Sequence, residues 1–189
     1  LVILIGGATR SGKSMVARRL SAGLTWPLLS LDVLKMGLVR AVPLLGVDPD
    51  SPPTEVGRVM WPLIRAMVEN ALDTDADYVF EGDMLSPDRV SELREASDGR
   101  LAACFLGYRR STPEQKLVAI RRYRGLPNDW LNEHDDGYVL EEARLGIAES
   151  VRIARESERV GLRYFDGSAE FERMLDEAME YLQALALAG

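Results

Sequence analysis

Cysteine, histidine and lysine are almost missing from this chain of 189 residues: one cysteine (Cys104), one histidine (His134) and three lysines (Lys13, Lys35 and Lys116), against twenty arginines. A single thiol excludes an internal disulfide, and its place in the apolar run LAACFLG predicts a buried core side chain. One histidine without a set of cysteines makes a poor transition-metal site, so Asn-Glu-His-Asp-Asp around His134 reads as a solvated loop. With histidine this scarce, a general base has to be sought among the carboxylates. No apolar run approaches the roughly 18 residues of a membrane span. The net charge of −7 argues against a general nucleic-acid or anionic-membrane binder. A local basic cluster can still serve one small anion. The first residues already form a strand-like run, which leaves no room for a signal peptide, so a cytoplasmic location is expected.

What is present is a repeating alternation. Leu1 to Ile5 is a continuous branched apolar run of buried-strand type, and Ser14 to Leu24 follows with helical spacing. Further strands are expected at Pro27–Leu31, Tyr78–Phe80, Leu101–Leu106 and Leu162–Phe165. Helices are expected from about Asp32, from a Thr54 cap to about Leu72, from Ser86-Pro87 to about Ala96, over Ser111–Tyr123, from Tyr138 to about Arg159, and over Ala169–Ala188. Five strands alternating with helices predict an α/β fold: a single domain over 1–189 with a five-stranded parallel sheet and helices on both faces. The proline-rich segment AVPLLGVDPDSPPTE predicts a flap at about 42–54, and the polar stretch RGLPNDWLNEHDDG a mobile lid at about 121–137.

The sharpest signal is GATRSGKS, Gly7 to Ser14, between the first strand and the first helix. In a Gly-x-x-x-x-Gly-Lys-Ser loop the glycines let the backbone curl so that successive N–H groups cradle phosphate oxygens, and the following helix adds its positive end. Gly7, Ala8, Thr9, Arg10, Ser11, Gly12, Lys13, Ser14 and Met15 are therefore the expected nucleotide-binding residues. Lys13 reaches the β- and γ-phosphates, and the Ser14 hydroxyl ligates Mg²⁺. No Asn-Lys-x-Asp guanine motif and no Ser-Gly-Gly-Gln transporter signature exist here, and the chain is short for an ATPase with a helical lid domain. A small-molecule kinase suits these features.

At this point the chain resembles the nucleoside monophosphate kinase-like superfamily of P-loop kinases, which includes adenylate and shikimate kinases, chloramphenicol phosphotransferase and 2-phosphoglycerate kinase-like proteins. ILIGGATRSGKS resembles their first strand and P-loop, and LSLDVLK the segment whose aspartate faces the phosphoryl acceptor. YVFEGDML resembles the third-strand end with its acidic residue near Mg²⁺ or acceptor, and RYFDGS the last strand and adenine-side loop. The resemblance implies a P-loop three-layer sandwich, ATP and Mg²⁺ as cofactors, and lid arginines that stabilise the transferring phosphoryl group.

The remaining candidates follow from position. Asp32, after the second strand, lies at the carboxyl edge where α/β ligands bind, and can orient an acceptor hydroxyl and take its proton; an N-cap is the structural alternative. Glu81 is assigned to the metal side and Asp83 to the acceptor, with Gly82 allowing close backbone approach. Arg121 and Arg124 are the expected catalytic lid arginines, ahead of Arg122, Arg109, Arg110 and Arg144. Lys35, Arg40, Arg58 and Arg65 surround the flap: turned inward they imply an anionic acceptor, turned outward a neutral hydroxylated one. Lys35 is counted with Asp32 and Asp83 as acceptor-binding. The expected function is transfer of the γ-phosphoryl group of ATP to a hydroxyl of a small-molecule partner. The alternatives are a nucleoside monophosphate kinase or a nucleotide-binding regulatory protein with weak ATPase activity.

Overall fold

The computed structural model describes residues 1–125 and 129–188. Five strands, β1 (Val2–Gly7), β2 (Leu28–Ser30), β3 (Tyr78–Glu81), β4 (Leu101–Gly107) and β5 (Arg163–Asp166), form one all-parallel sheet in the order β2-β3-β1-β4-β5. Seven α-helices connect and cover them: α1 (Lys13–Leu24), α2 (Leu31–Ala41), α3 (Pro53–Asp73), α4 (Pro87–Glu95), α5 (Pro113–Arg122), α6 (Asp136–Arg159) and α7 (Phe171–Ala188). Short 3₁₀ turns at Pro43–Leu45 and Trp130–Glu133 lie in the expected flap and lid. Leu126, Pro127 and Asn128 of the expected lid fall outside the described residues. No helix among the described residues is long and apolar enough to cross a membrane.

The three layers follow from the two-residue period of the strands. Val2 and Leu4 of β1 enter a core shared with Phe80, Ala103 and Phe105 and covered by α3, α4 and α6 through Met60, Ile64, Val90, Leu93 and Ile153. Ile3 and Ile5 enter the opposite core with Val79, Cys104 and Leu106, covered by α1 and α7 through Val16, Leu20, Leu175 and Leu182. Apolar residues therefore run without interruption along β1 and β4, since both faces are covered. Cys104 is fully buried, and burial pushes its thiol pKa up. A small third cluster of Ile120, Leu131 and Val139 ties α5 to the lid and the start of α6.

Element existence matches the sequence reading throughout, and the differences are local. Thr54 is not a cap: α3 starts at Pro53 after Pro52, because proline fits the first helical turn where its missing N–H costs nothing. On α5, which starts at Pro113 rather than Ser111, Thr112 and Gln115 form a reciprocal capping box. The last helix begins at Phe171 and not at Ala169, which leaves Ser168 three residues ahead of it. The Ser168 hydroxyl donates to Asp166 and accepts the Arg110 N–H at 2.9 Å.

Candidate active site

The loop after β1 curls back on the sheet edge. Gly7 has a positive φ of 139°, and a Cβ there would lie 2.1 Å from the Leu106 carbonyl oxygen, so only glycine fits beside β4. Gly12, in a left-handed conformation, precedes α1 and leaves that helix without a side-chain cap, its first N–H groups directed at the loop. Lys13 is buried and donates to the Ala8 carbonyl at 2.8 Å, across the mouth of the loop. Ser11 Oγ is buried without a hydrogen-bond partner among the described residues. An orphaned hydroxyl within a phosphate-loop sequence is a polar group that a bound phosphate oxygen would satisfy.

Two strand ends supply the carboxylates. The Ser14 hydroxyl donates to Glu81 Oε2 at 3.0 Å, bringing together the two residues expected on the metal side. A hydroxyl beside a carboxylate is an all-oxygen pair of the kind Mg²⁺ accepts when phosphate oxygens and water complete its shell. No group of three or more histidine, cysteine or acidic side chains suited to a metal occurs among the described residues. The Ser14–Glu81 donor pair fits Mg²⁺ carried in with a nucleotide.

Gly82 sets the distance between the two acceptor candidates: a Cβ on it would meet Leu31 Cβ at 2.8 Å, so β3 ends against the first residue of α2. Asp32 lies in the first turn of α2, two residues beyond the N-cap Ser30, so capping does not explain it; it pairs with Lys35 at 3.1 Å. Asp83 accepts from Thr9 Oγ1 at 3.2 Å, which ties it to the phosphate loop. Burial pushes the Asp83 pKa up and the Asp32 charge adds to this, while Lys13, Lys35 and the Thr9 hydrogen bond oppose it. Lys13, Asp32, Lys35 and Asp83 therefore share one electrostatic neighbourhood at the carboxyl edge of β1, β2 and β3.

The lid arginines separate. Arg121 is bound inside the lid: it donates to Asp136 Oδ1 at 2.8 Å, to the His134 carbonyl at 2.8 Å and to Asn132 Oδ1 at 3.0 Å. These bonds engage its guanidinium with three residues of the lid. Arg124 is exposed and makes one long contact among the described residues, 3.5 Å to the Asn132 carbonyl. Arg122 lies over the Tyr123 ring, and Arg144 pairs with Glu141 on the exposed side of α6. Arg109 and Arg110 both pair with Asp166 beside the last strand. His134 is exposed, as a solvated loop implies, and stacks on Tyr138 with centroids 4.2 Å apart.

Sequence reasoning missed the group that grips the loop from outside. The Tyr108 hydroxyl, just past β4, donates to the Thr9 carbonyl at 2.8 Å. Lys116 of α5 is buried, donates to the Arg10 carbonyl at 2.7 Å, and stands 3.7 Å above the Tyr108 ring. Burial, with the charges of Arg10 and Lys13, pushes its pKa down to about 7. Arg10 itself lies 3.2 Å from Asp129 of the lid, an ion pair whose N–H alignment falls short of a hydrogen bond. The scarcity of lysine was the available signal: two of the three reach the phosphate loop directly.

No family model matches the chain, and no curated protein matches its sequence. Solved structures do. A gluconokinase from Sinorhizobium meliloti 1021 aligns over 99% of this chain and 94% of its own, with a TM-score of 0.61 and 18% identity. A shikimate kinase from Bacteroides thetaiotaomicron covers 98% of both chains, with a TM-score of 0.59 and 14% identity. A sugar kinase from Janibacter sp. HTCC2649 covers 96% of this chain and 94% of its own, at a TM-score of 0.59 and 14% identity. At such identities the likeness carries the fold, and it carries it over nearly the whole chain.

Proposed function

We propose that this chain is an ATP- and Mg²⁺-dependent kinase that transfers the γ-phosphoryl group to a hydroxyl of a small molecule. The observation that carries the reading is the convergence at one sheet edge of a phosphate loop, the Ser14–Glu81 oxygen pair, and two carboxylates, Asp32 and Asp83. The kinase names of the solved structures that share the fold support it. The net charge of −7 favours a small-molecule acceptor over a nucleic acid or an anionic membrane.

The loop N–H groups and Lys13 hold the β- and γ-phosphates. Ser14 and Glu81 hold Mg²⁺, which when bound neutralises charge on those phosphates. The acceptor hydroxyl oxygen bonds to the γ-phosphorus as the bond to the β,γ-bridging oxygen breaks, and the hydroxyl proton passes to a carboxylate. Asp83, tied to the phosphate loop through Thr9, takes the proton, and Asp32, anchored by Lys35, orients the hydroxyl. Arg124, exposed and held by one long contact, is the arginine we assign to the transferring group.

The test is ADP release from Mg·ATP with a mixed library of hydroxylated acceptors, comparing the parent chain with Lys13→Ala. Acceptor-dependent release should fall by about a hundredfold or more in the variant while its circular dichroism and melting stay unchanged. Equal release by the two proteins refutes the kinase reading.

A further inference from the structure

A cleft of about 350 Å³ opens beside Asp83, between the start of α3, the β3–α4 connection, α4 and α6. That volume suits a sugar-sized molecule. Its position next to the carboxylate assigned to the acceptor makes it the place where the body of an acceptor would sit, and its chemistry bears on what that acceptor can be.

Two arginines line the cleft, and both are committed to protein partners. Arg89 donates to the Gly57 carbonyl at 2.8 Å and lies over the Trp61 ring. Arg152 is held from both sides by carboxylates, donating to Glu149 at 2.6 and 2.9 Å and also to Glu156. Against them the lining carries Asp83, Asp88, Glu92 and Glu156. Only Asp88 and Glu156 have ion-pair partners among the described residues, Arg159 and Arg152. The hydroxyls of Thr54 and Ser86 complete the polar lining.

The cations around the flap do not change this balance. Arg40 and Arg58 are exposed, Arg65 is exposed and bonded to Glu69 at 2.7 Å, and Lys35 is paired with Asp32. Binding a carboxylate or a second phosphate here would take an anion out of water into a lining with a surplus of carboxylates and no guanidinium to spare. Hydroxyls meet the opposite situation, because carboxylates and the Thr54 and Ser86 oxygens accept their hydrogen bonds.

We propose that the phosphoryl acceptor of this chain is a polyhydroxylated compound without an anionic group, neutral or carrying an ammonium, seated in the cleft between α3, α4 and α6. The inference rests on the kinase reading and narrows it, disfavouring nucleoside monophosphates as acceptors.

The experiment measures acceptor-dependent ADP release from Mg·ATP with three separate pools, with Lys13→Ala as the blank. The pools are neutral sugars and polyols, amino sugars and other hydroxylated amines, and anions comprising sugar acids, sugar phosphates and nucleoside monophosphates. Release above the blank is expected in the neutral or amine pool and not in the anionic one. Thr54→Trp, at an exposed helix-start position on the cleft wall, is then run with the active pool. It should raise the acceptor KM about tenfold or more and leave the KM for ATP unchanged. Turnover confined to the anionic pool overturns the acceptor class and leaves the kinase standing. An unchanged acceptor KM in Thr54→Trp overturns the cleft as its seat. Blank-level release in all three pools refutes the kinase reading, and this inference with it.

Discussion

The buried lysine beneath the phosphate loop gives the most quantitative consequence of this structure. Lys116 donates to the Arg10 carbonyl under the Tyr108 ring, with its pKa lowered from the ordinary 10.5 to about 7. In an unfolded chain the same amine titrates near its ordinary value. Between about pH 7 and 10.5 the unfolded chain therefore holds a proton that the folded one has released, so stability must rise with pH across that window. Below about pH 7 both states are protonated and the full cost of burying the ammonium is present. At about 1.4 kcal/mol per pH unit the whole window corresponds to about 5 kcal/mol. The Tyr108 ring face returns about 1–2 kcal/mol to the charged form, which narrows the span to about 3–4 kcal/mol.

Lys116→Met keeps the apolar stem and removes the titrating group. The assay is urea unfolding of the parent chain and the variant from pH 6 to 9, taking the difference in unfolding free energy at each pH so that every other titration cancels. Loss of the hydrogen bond to the Arg10 carbonyl shifts the difference by about 1–3 kcal/mol at all pH values. On top of that offset, the parent should gain on the variant by about 1–2 kcal/mol between pH 7.5 and 9. Below pH 6.5 the difference should be flat. Parallel curves across the whole range would show that Lys116 keeps an ordinary proton affinity and that burial does not govern it.

Three other outcomes are expected. Gly7→Ala sets a methyl group against the Leu106 carbonyl in a backbone region that alanine avoids, so it should destabilise the chain by about 2–4 kcal/mol or more in urea unfolding. Asp83→Asn should lower kcat about a hundredfold or more with little change in the KM for ATP, and Asp32→Asn should have the smaller kcat effect but raise the acceptor KM; the reverse ranking would return the proton-accepting role to Asp32. Arg121→Ala removes the hydrogen bonds that join Asn132, His134 and Asp136, so limited proteolysis should cleave faster between residues 122 and 137, and Arg121→Lys should not restore protection.

The fold and the phosphate loop were legible because each rests on a local rule. Continuous branched runs mark strands covered on both faces, and β1 and β4 divide their side chains between the two cores in strict alternation. The Gly-Lys-Ser loop needs only the residues within it and a strand before it. Helix starts were read less well where two cap signals competed. The Thr54 hydroxyl lost to the proline pair before it, whereas Thr112, with glutamine three residues on, formed its box.

What sequence could not supply is the direction of long side chains, and the acceptor side depends on that. Twenty arginines made every guanidinium near the flap and lid look available. Their partners decide otherwise. Arg121 turns into the lid because Asp136 and the carbonyls of its 3₁₀ turn lie within reach only once α5 and α6 have packed through Ile120, Leu131 and Val139. Arg152 is trapped one turn from Glu149 and Glu156 on its own helix, a pairing the spacing does encode, yet its place on a cleft wall depends on how α6 meets α4. Lys116 reaches the phosphate loop across a sequence separation of 106 residues, a contact invisible until β4 and β1 lie side by side. Charge in this chain is thus assigned at two levels: spacing within a helix places Lys35, Arg65 and Arg152, whereas Arg121 and Lys116 are placed by the carboxylate or carbonyl that the fold brings to them.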